Sequence, residues 1–434
     1  MRLSGRLGSD LDGARLRPPP GFAWVPGGLH RRGDGYGLGR EGRSFVLDAG
    51  LNYYVGAGGN NAAPGTSYAA RVADLWAILN VLPFLGTTPC NVWVESGTYD
   101  LSRGWSGGNV NGITVLSPAN LIATADLQTA SLASWEPGTA RTTTSPLSLT
   151  WALQAGGTYR AALAAAPYAV VDELQLTSAG LGSRLTLQAS IAAVDAAPGS
   201  YYWSGGQLYV RTLDSRVPDT RVHAFKASQP NGYANLAANS IYVDGFDFLG
   251  GANGAMRIAA GDQMTFNRCS FRYSEHAGLD ANASPLVQVF DSAADENGAD
   301  GFDYTTVTRA VEGRCVGRHN GYDGTNLSNA SSMHSGGTIL QYGGDYADSQ
   351  GINVAHVGGC KVWMAGCSAS GTRATDNTRK VNVWIADGGT AYLERCALSG
   401  NTTDVRADGV SDTINLFGTT ATTGGAGVVR ESRG

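Results

Sequence analysis

Carboxylates recur at one offset from glycine along the second half of the chain. Asp280 stands two residues after Gly278, Asp300 after Gly298, Asp323 after Gly321, and Asn353 after Gly351. Two residues before the same glycines stand His276, Glu296, His319 and Ser349. If each glycine marks the same place in a repeated coil, these positions stack into two columns with about 4.8 Å between neighbours. One column then projects three carboxylates from one face, flanked by a His–Glu–His row. Like charges held this close cannot all ionise, so at least one acid keeps its proton. A protonated acid beside an ionised one is the pairing that glycoside hydrolysis requires. Abstraction of a proton α to a carboxylate would need a base and a cation instead, and Arg318 and Arg373 are near in sequence. The catalytic candidates are therefore Asp300, Asp323, Glu296 and His319. The substrate-binding candidates are Asp280, Asp303, His276, His334, Asn353 and Arg373. The competing reading is a ladder of Asp and Asn side chains bonded to the turns of the next coil, a habit of these residues.

Metal chemistry has less support. Four of the six histidines, His276, His319, His334 and His356, fall within residues 276–356, but none are spaced HxH or HxxxH. Asp345 and Asp348 widen the acidic patch without completing a calcium ligand string. No metal or cofactor is called for. The segment between Asp323 and Gly351, with TNLSNASSMHSGG and His334, lengthens its coil and is placed to wall a groove.

Such columns need an element that repeats. Glycines 254, 278, 298, 321, 351, 371 and 400 recur at intervals of 24, 20, 23, 30, 20 and 29 residues, the period of a solenoid. The residue after each is usually apolar and the next polar, the alternation of a strand, which makes Leu279, Tyr322 and Ile352 inward-facing. Short strand-like runs such as QMTFNRCSF, PLVQVFDS and KVWMAGC lie between, and none shows helical spacing. The fold expected is all-β, a right-handed parallel β-helix over 236–410 with a tail at 411–434. Residues 46–135 start it, with Val72, Leu75, Trp76, Leu79 and Leu82 at helical spacing for an N-terminal capping helix begun by Thr66 or Ser67. Residues 136–235 read as an inserted β-rich module with a hairpin at Ser204-Gly205-Gly206. Its Trp151, Tyr201, Tyr202, Trp203 and Tyr209 form either a core or a sugar platform. Residues 1–45, rich in Gly, Arg and Pro, read as an attachment arm.

The net charge of −5 gives no electrostatic case for nucleic acid, and 28 of the 31 basic residues are Arg. The first residues carry no apolar run of a secretory signal, and no window of 18 apolar residues calls for membrane insertion. The six cysteines form no CxxC pairs and read as buried free thiols.

The run YYVGAGGNNAAPGTSYAA, the helix, and VWVESGTYDL resemble the opening of pectate-lyase-like right-handed β-helix proteins. Residues 285–360, with NGADGFDYTTV, GRHNGYDGTNLSNASSMHSGG and GGDYADSQGINVAHVGGC, resemble bacteriophage tail spikes and other tail-associated β-helix proteins. The superfamily likeness covers most of 46–420 and implies fold more than activity. It implies a virion-surface protein, made in the host cytoplasm, that binds host surface polysaccharide as a homotrimer and attaches to other virion proteins through its N-terminus. Depolymerase activity, as hydrolase or lyase, is left open. A free bacterial polysaccharide lyase or hydrolase and a purely structural virion component are the alternatives.

Overall fold

The computed structural model describes residues 22, 29–32, 35–38, 51–79, 90–100, 105–106, 111–116, 140–178, 180–226, 232–235, 240–258, 263–322, 324 and 327–432. Alternating apolar residues organise most of them into strands that visit three parallel sheets in turn. One pass lays down Gln263–Asn267 in sheet I, Ser270–Arg272 in sheet II and Ala277–Asn282 in sheet III. The next lays Leu286–Phe290, Ala293–Asp295 and Phe302–Thr305 beside them, in parallel. Among the described residues, twelve strands build sheet I, nine sheet II and ten sheet III. One side chain in two points inward, so Leu279, Ala281, Val287, Val289, Phe302 and Tyr304 are fully buried in a common interior. All six cysteines are free and buried.

The corners follow from backbone geometry. Between sheets I and II the chain turns on one left-handed residue, among them Arg268, Asp291, Arg314 and Arg395, with φ from 47° to 53°. Charged neighbours reinforce these turns: Arg268 pairs with Asp244 and Arg314 with Asp291, each at 2.6 Å. Between sheets II and III the left-handed residue is Tyr273, Glu296, His319 or Asp348. Just after that corner Asn297 and Asn320 form a ladder: the Asn297 amide donates to Asn320 Oδ1 at 3.0 Å, and Asn320 Nδ2 to the Ala294 carbonyl at 2.9 Å.

Every long excursion from Gln263 to Ile385 leaves at this second corner, between Arg318 and Ser331 and between Thr372 and Val381. So does the largely antiparallel module, which departs after Thr143 in sheet II and returns at Gly232 in sheet III. It holds a five-stranded and a three-stranded sheet, including the hairpin Ser200–Ser204 with Gln207–Arg211. Tyr201 lies in its core with Val170, Leu208 and Val210, and Trp151 and Trp203 pack against it. Tyr202 and Tyr209 stack on each other across the sheet, ring centroids 6.3 Å apart.

Two sequence expectations are corrected. The described part of the helix is Leu75–Leu79, and Val72 instead bridges to Val55 in strand fashion. Ser67 accepts from the Ala70 amide in a turn well upstream, so neither it nor Thr66 caps the helix. The continuation through Leu82 lies outside the described residues. Of the N-terminal arm, Phe22 packs edge-on against Trp363 on the outer face of sheet I, centroids 5.7 Å apart.

Candidate functional site

The glycine register proves wrong in a way that matters for the site. Sheet III pairs Arg257 with Asp280, Asp280 with Asp303, and Asp303 with Ser332. Asp300 is not in that row. It sits at the end of the preceding turn, because Gly278 lies within a strand whereas Gly298 lies inside a corner. Gly301, next in the chain, is the true counterpart of Gly278. A Cβ on it would meet the Ala330 carbonyl at 2.5 Å and the Asn320 amide at 2.7 Å, so the coils close tightly only over glycine.

The turn and the row converge on one cluster. Asp300 Oδ1 accepts from the Asn329 backbone N–H at 2.6 Å, and Oδ2 accepts from the Ser332 hydroxyl at 2.6 Å. That hydroxyl is also 3.4 Å from Asp303 Oδ1. His334 Nε2 lies 3.7 Å from the same Asp303 oxygen, and Arg257 Nε 3.2 Å from Asp280 Oδ2. Burial raises the Asp300 carboxyl, with the Ser332 and Asn329 donors pulling it back. Burial and the negative charges of Asp300 and Asp280 push Asp303 well above the usual carboxylate range. Burial raises Asp280 too, against the pull of Arg257 and His276. All three carboxyls are thus shifted towards their protonated forms, Asp303 furthest. One ligand atom each from Asp300, Asp303 and His334 falls within a mutual 4.8 Å, close enough to share a cation.

A second group occupies the corner at the other end of the same turn. Glu296 has its side chain buried, with Oε2 4.0 Å from Nε of Arg184, which reaches across from the inserted module and also donates to the Glu296 carbonyl. Burial raises the Glu296 carboxyl; the Tyr322 hydroxyl and the Arg184, His319 and Arg373 charges pull it down. The Tyr322 ring lies under two guanidinium groups, Arg184 at 4.5 Å and Arg373 at 5.2 Å. Burial beside Glu296 pushes its phenol up to about 12.

The candidates thus divide. Asp280, Asp300, Asp303 and His334 come together, with His276 exposed on the flanking turn. Glu296, His319 and Arg373 form the corner group. Asp323 lies outside the described residues. The row His276, Glu296, His319, Ser349 does not exist: the true corner column is Tyr273, Glu296, His319, Asp348. Asn353 is fully buried and serves the turns, donating to the Gly371 carbonyl at 2.7 Å and to Asn382 Oδ1 at 3.0 Å. That position follows the ladder alternative. Tyr322 is 42% exposed rather than inward, and Ile352 is buried in a small outer cluster with Ala355 and Trp384. Sequence reading passed over Arg257, Asn329, Ser332 and Arg184. The echo of Gly278-Leu279-Asp280-Ala281 in Gly301-Phe302-Asp303-Tyr304 carries the correct register and would have led to Arg257 and Ser332. Nothing in the sequence signals Arg184, which arrives from a distant module.

No protein-family model and no curated protein matches the sequence. Solved structures do. One titled "Glycoside hydrolase" aligns with a TM-score of 0.62 at 10% identity, over 88% of this chain and 96% of that one. The complex of XylC with xylose aligns at 0.52 and 9% identity, over 88% of this chain and 70% of that one. The tailspike protein gp49 from Pseudomonas phage LKA1 aligns at 0.19 and 14% identity over 87% and 77%, too loosely to bear on the argument. At such identities the likeness speaks for architecture alone: this chain has the fold of the right-handed β-helix proteins.

Proposed function

We propose that this chain binds polysaccharide along the outer face of sheet III and cleaves it by glycoside hydrolysis. The observation that carries the reading is the direct pairing of Asp280 with Asp303, one beside a guanidinium and the other driven towards its protonated form. Asp303 gives its proton to the glycosidic oxygen as the bond to the anomeric carbon breaks. Asp280, drawn towards its charged form by Arg257, meets that carbon. Asp300, fixed by Ser332 and Asn329, holds Asp303 in place and keeps its proton on. Side chains directly paired on neighbouring strands stand about 5 Å apart, the separation of about 5–5.5 Å that goes with a covalent intermediate and retained configuration. The fold it shares with a glycoside hydrolase supports the reading.

In the finer form of this proposal the solenoid is closed at its N-terminal end by the 46–100 stretch and belongs to a homotrimer on a bacteriophage particle, bound to host surface polysaccharide. Its support is the sequence resemblance of 285–360. Light scattering should then give three chains per particle; a monomer that still binds polymer would leave the free enzyme.

The chemistry is tested on a panel of bacterial capsules and lipopolysaccharides. Asp303→Asn should lower kcat by about 10²–10⁴-fold and leave polymer binding intact, and proton NMR of the first product should show the retained anomer. Wild-type protein that binds a polymer without shortening it would remove the cleavage claim. Protein that binds none would remove the site.

A further inference from the structure

In the inward columns of sheets I and III that run past the carboxylate cluster, the described side chains are apolar except behind it. In sheet I the inward column runs Phe266, Val289, Glu312, Gln341, Met364, Leu393, Leu416. In sheet III one inward column runs Leu279, Phe302, Ser331, Val354, Val383, and the other Ala281, Tyr304, Met333, His356, Ile385. The polar members all meet. Glu312, fully buried, accepts from the Ser331 hydroxyl at 2.7 Å, the Tyr346 hydroxyl at 2.5 Å and Gln341 Nε2 at 3.1 Å. Gln341 Nε2 also reaches the Ser331 hydroxyl at 3.0 Å, and its carbonyl lies 3.4 Å from His356 Nε2. Burial raises the Glu312 carboxyl, with Tyr346, Ser331, Gln341 and Tyr304 opposing, and lowers His356 to about 3. The His356 imidazole is therefore neutral inside the coil, and the Glu312 carboxyl is shifted towards its protonated form.

Burying such groups costs free energy that the leucines and valines of neighbouring coils avoid. Violations of this kind are expected where function demands them. The location supplies the demand. Ser331 points inward to Glu312, and Ser332, the next residue, points outward and bridges Asp300 and Asp303. Tyr304, whose side chain faces the same interior, follows Asp303. The strand that bears Asp303 and the strand that bears Ser332 thus have inner neighbours at one acid: Ser331 bonded to Glu312 and Tyr304 lying near it.

We propose that Glu312 is a positioning residue for the outer cluster, pinning the Ser331 and Tyr304 strands from inside so that Ser332 holds Asp300 and Asp303 together. The proposal rests on the reading of that cluster as the site, but its first readout needs no substrate. Carboxyl ¹³C titration would follow Asp303 in wild type, Glu312→Leu, Glu312→Gln and Ser331→Ala. In the Leu and Ala variants Asp303 should move back towards the ordinary carboxylate range by about one pH unit, as the strands and their carboxylates part. Cleavage should fall by about 10²-fold in kcat with KM little changed, the cost of a slight misplacement. Gln keeps the size and an acceptor and should restore both readouts. A folded Glu312→Leu in which Asp303 titrates as in wild type would overturn the proposal; if that variant does not fold, an unchanged Ser331→Ala would do so. Wild type without any glycosidase activity removes the cleavage reading and leaves the titration to decide this one.

Discussion

Ser332 is the residue on which the two buried acids depend most directly. Its hydroxyl faces both Asp300 and Asp303 and lowers the pKa of each. Ser332→Ala takes that donor away while Glu312 still holds the strands and Asn329 still holds Asp300, so the carboxyls stay together and both should titrate higher still. If Asp303 must be protonated to work, the alkaline limb of the cleavage profile moves up. A profile that keeps its wild-type limbs would show that the hydroxyl does not couple the two acids. Arg257→Gln acts on the other partner. It removes the cation that pulls the Asp280 carboxyl down against burial, so the acidic limb should move to higher pH, which the same profile reads.

At the scale of elements, the turns between sheets II and III carry the site, and side-chain ladders hold those turns. Asn320 accepts the Asn297 backbone N–H at 3.1 Å and donates to Ala294. Asn320→Ala leaves buried backbone groups unmade and should cost about 1–3 kcal/mol, read as a lower midpoint in urea; an unchanged midpoint would mean that water replaces the amide. Strand alternation and the period were legible in the sequence because they rest on inward residues such as Leu279 and Val287, which recur with each coil. The register was not. Glycine serves both near a strand start, at Gly278 and Gly301, and inside a corner, at Gly298, so aligning on it mixed two positions and placed Asp300 where Asp303 belongs. Asp300 still entered the site, since its turn folds back on the row. Arg184 stayed invisible because tertiary packing of the module, not local pattern, brings it to Glu296.

For the whole molecule the buried acids set an unusual dependence on pH. Burial raises Asp295 to about 6, and Asp300, Asp303 and Glu312 are raised as well. A folded state that binds protons more tightly than the unfolded chain is most favoured below the ordinary carboxylate pKa of about 4, and this advantage is lost as pH rises through the folded values. Glu173 acts in the opposite sense: despite burial, His223 and Arg141 hold it at about 2, so its contribution is present above about 4.5 and lost on acidification. Thermal melts should peak in mildly acid buffer and decline towards neutrality, and Glu312→Gln should flatten the decline. A midpoint that keeps rising from about pH 5 to about 7 would show that these acids ionise freely.

The coils also set the terms on which such a protein can change. Hydrogen bonds join residues 23 apart in the plain coils and 29 apart where a corner is extended, and the strand pairing is the same in either case. Length is therefore a free variable. A whole 23-residue turn could be added or removed beyond Thr390 without moving a single atom of the carboxylate row, much as a staircase gains steps without disturbing a landing. Reach along a polymer and the chemistry done on it can then be adjusted by separate events, one by copying coils and the other by altering a few outward side chains.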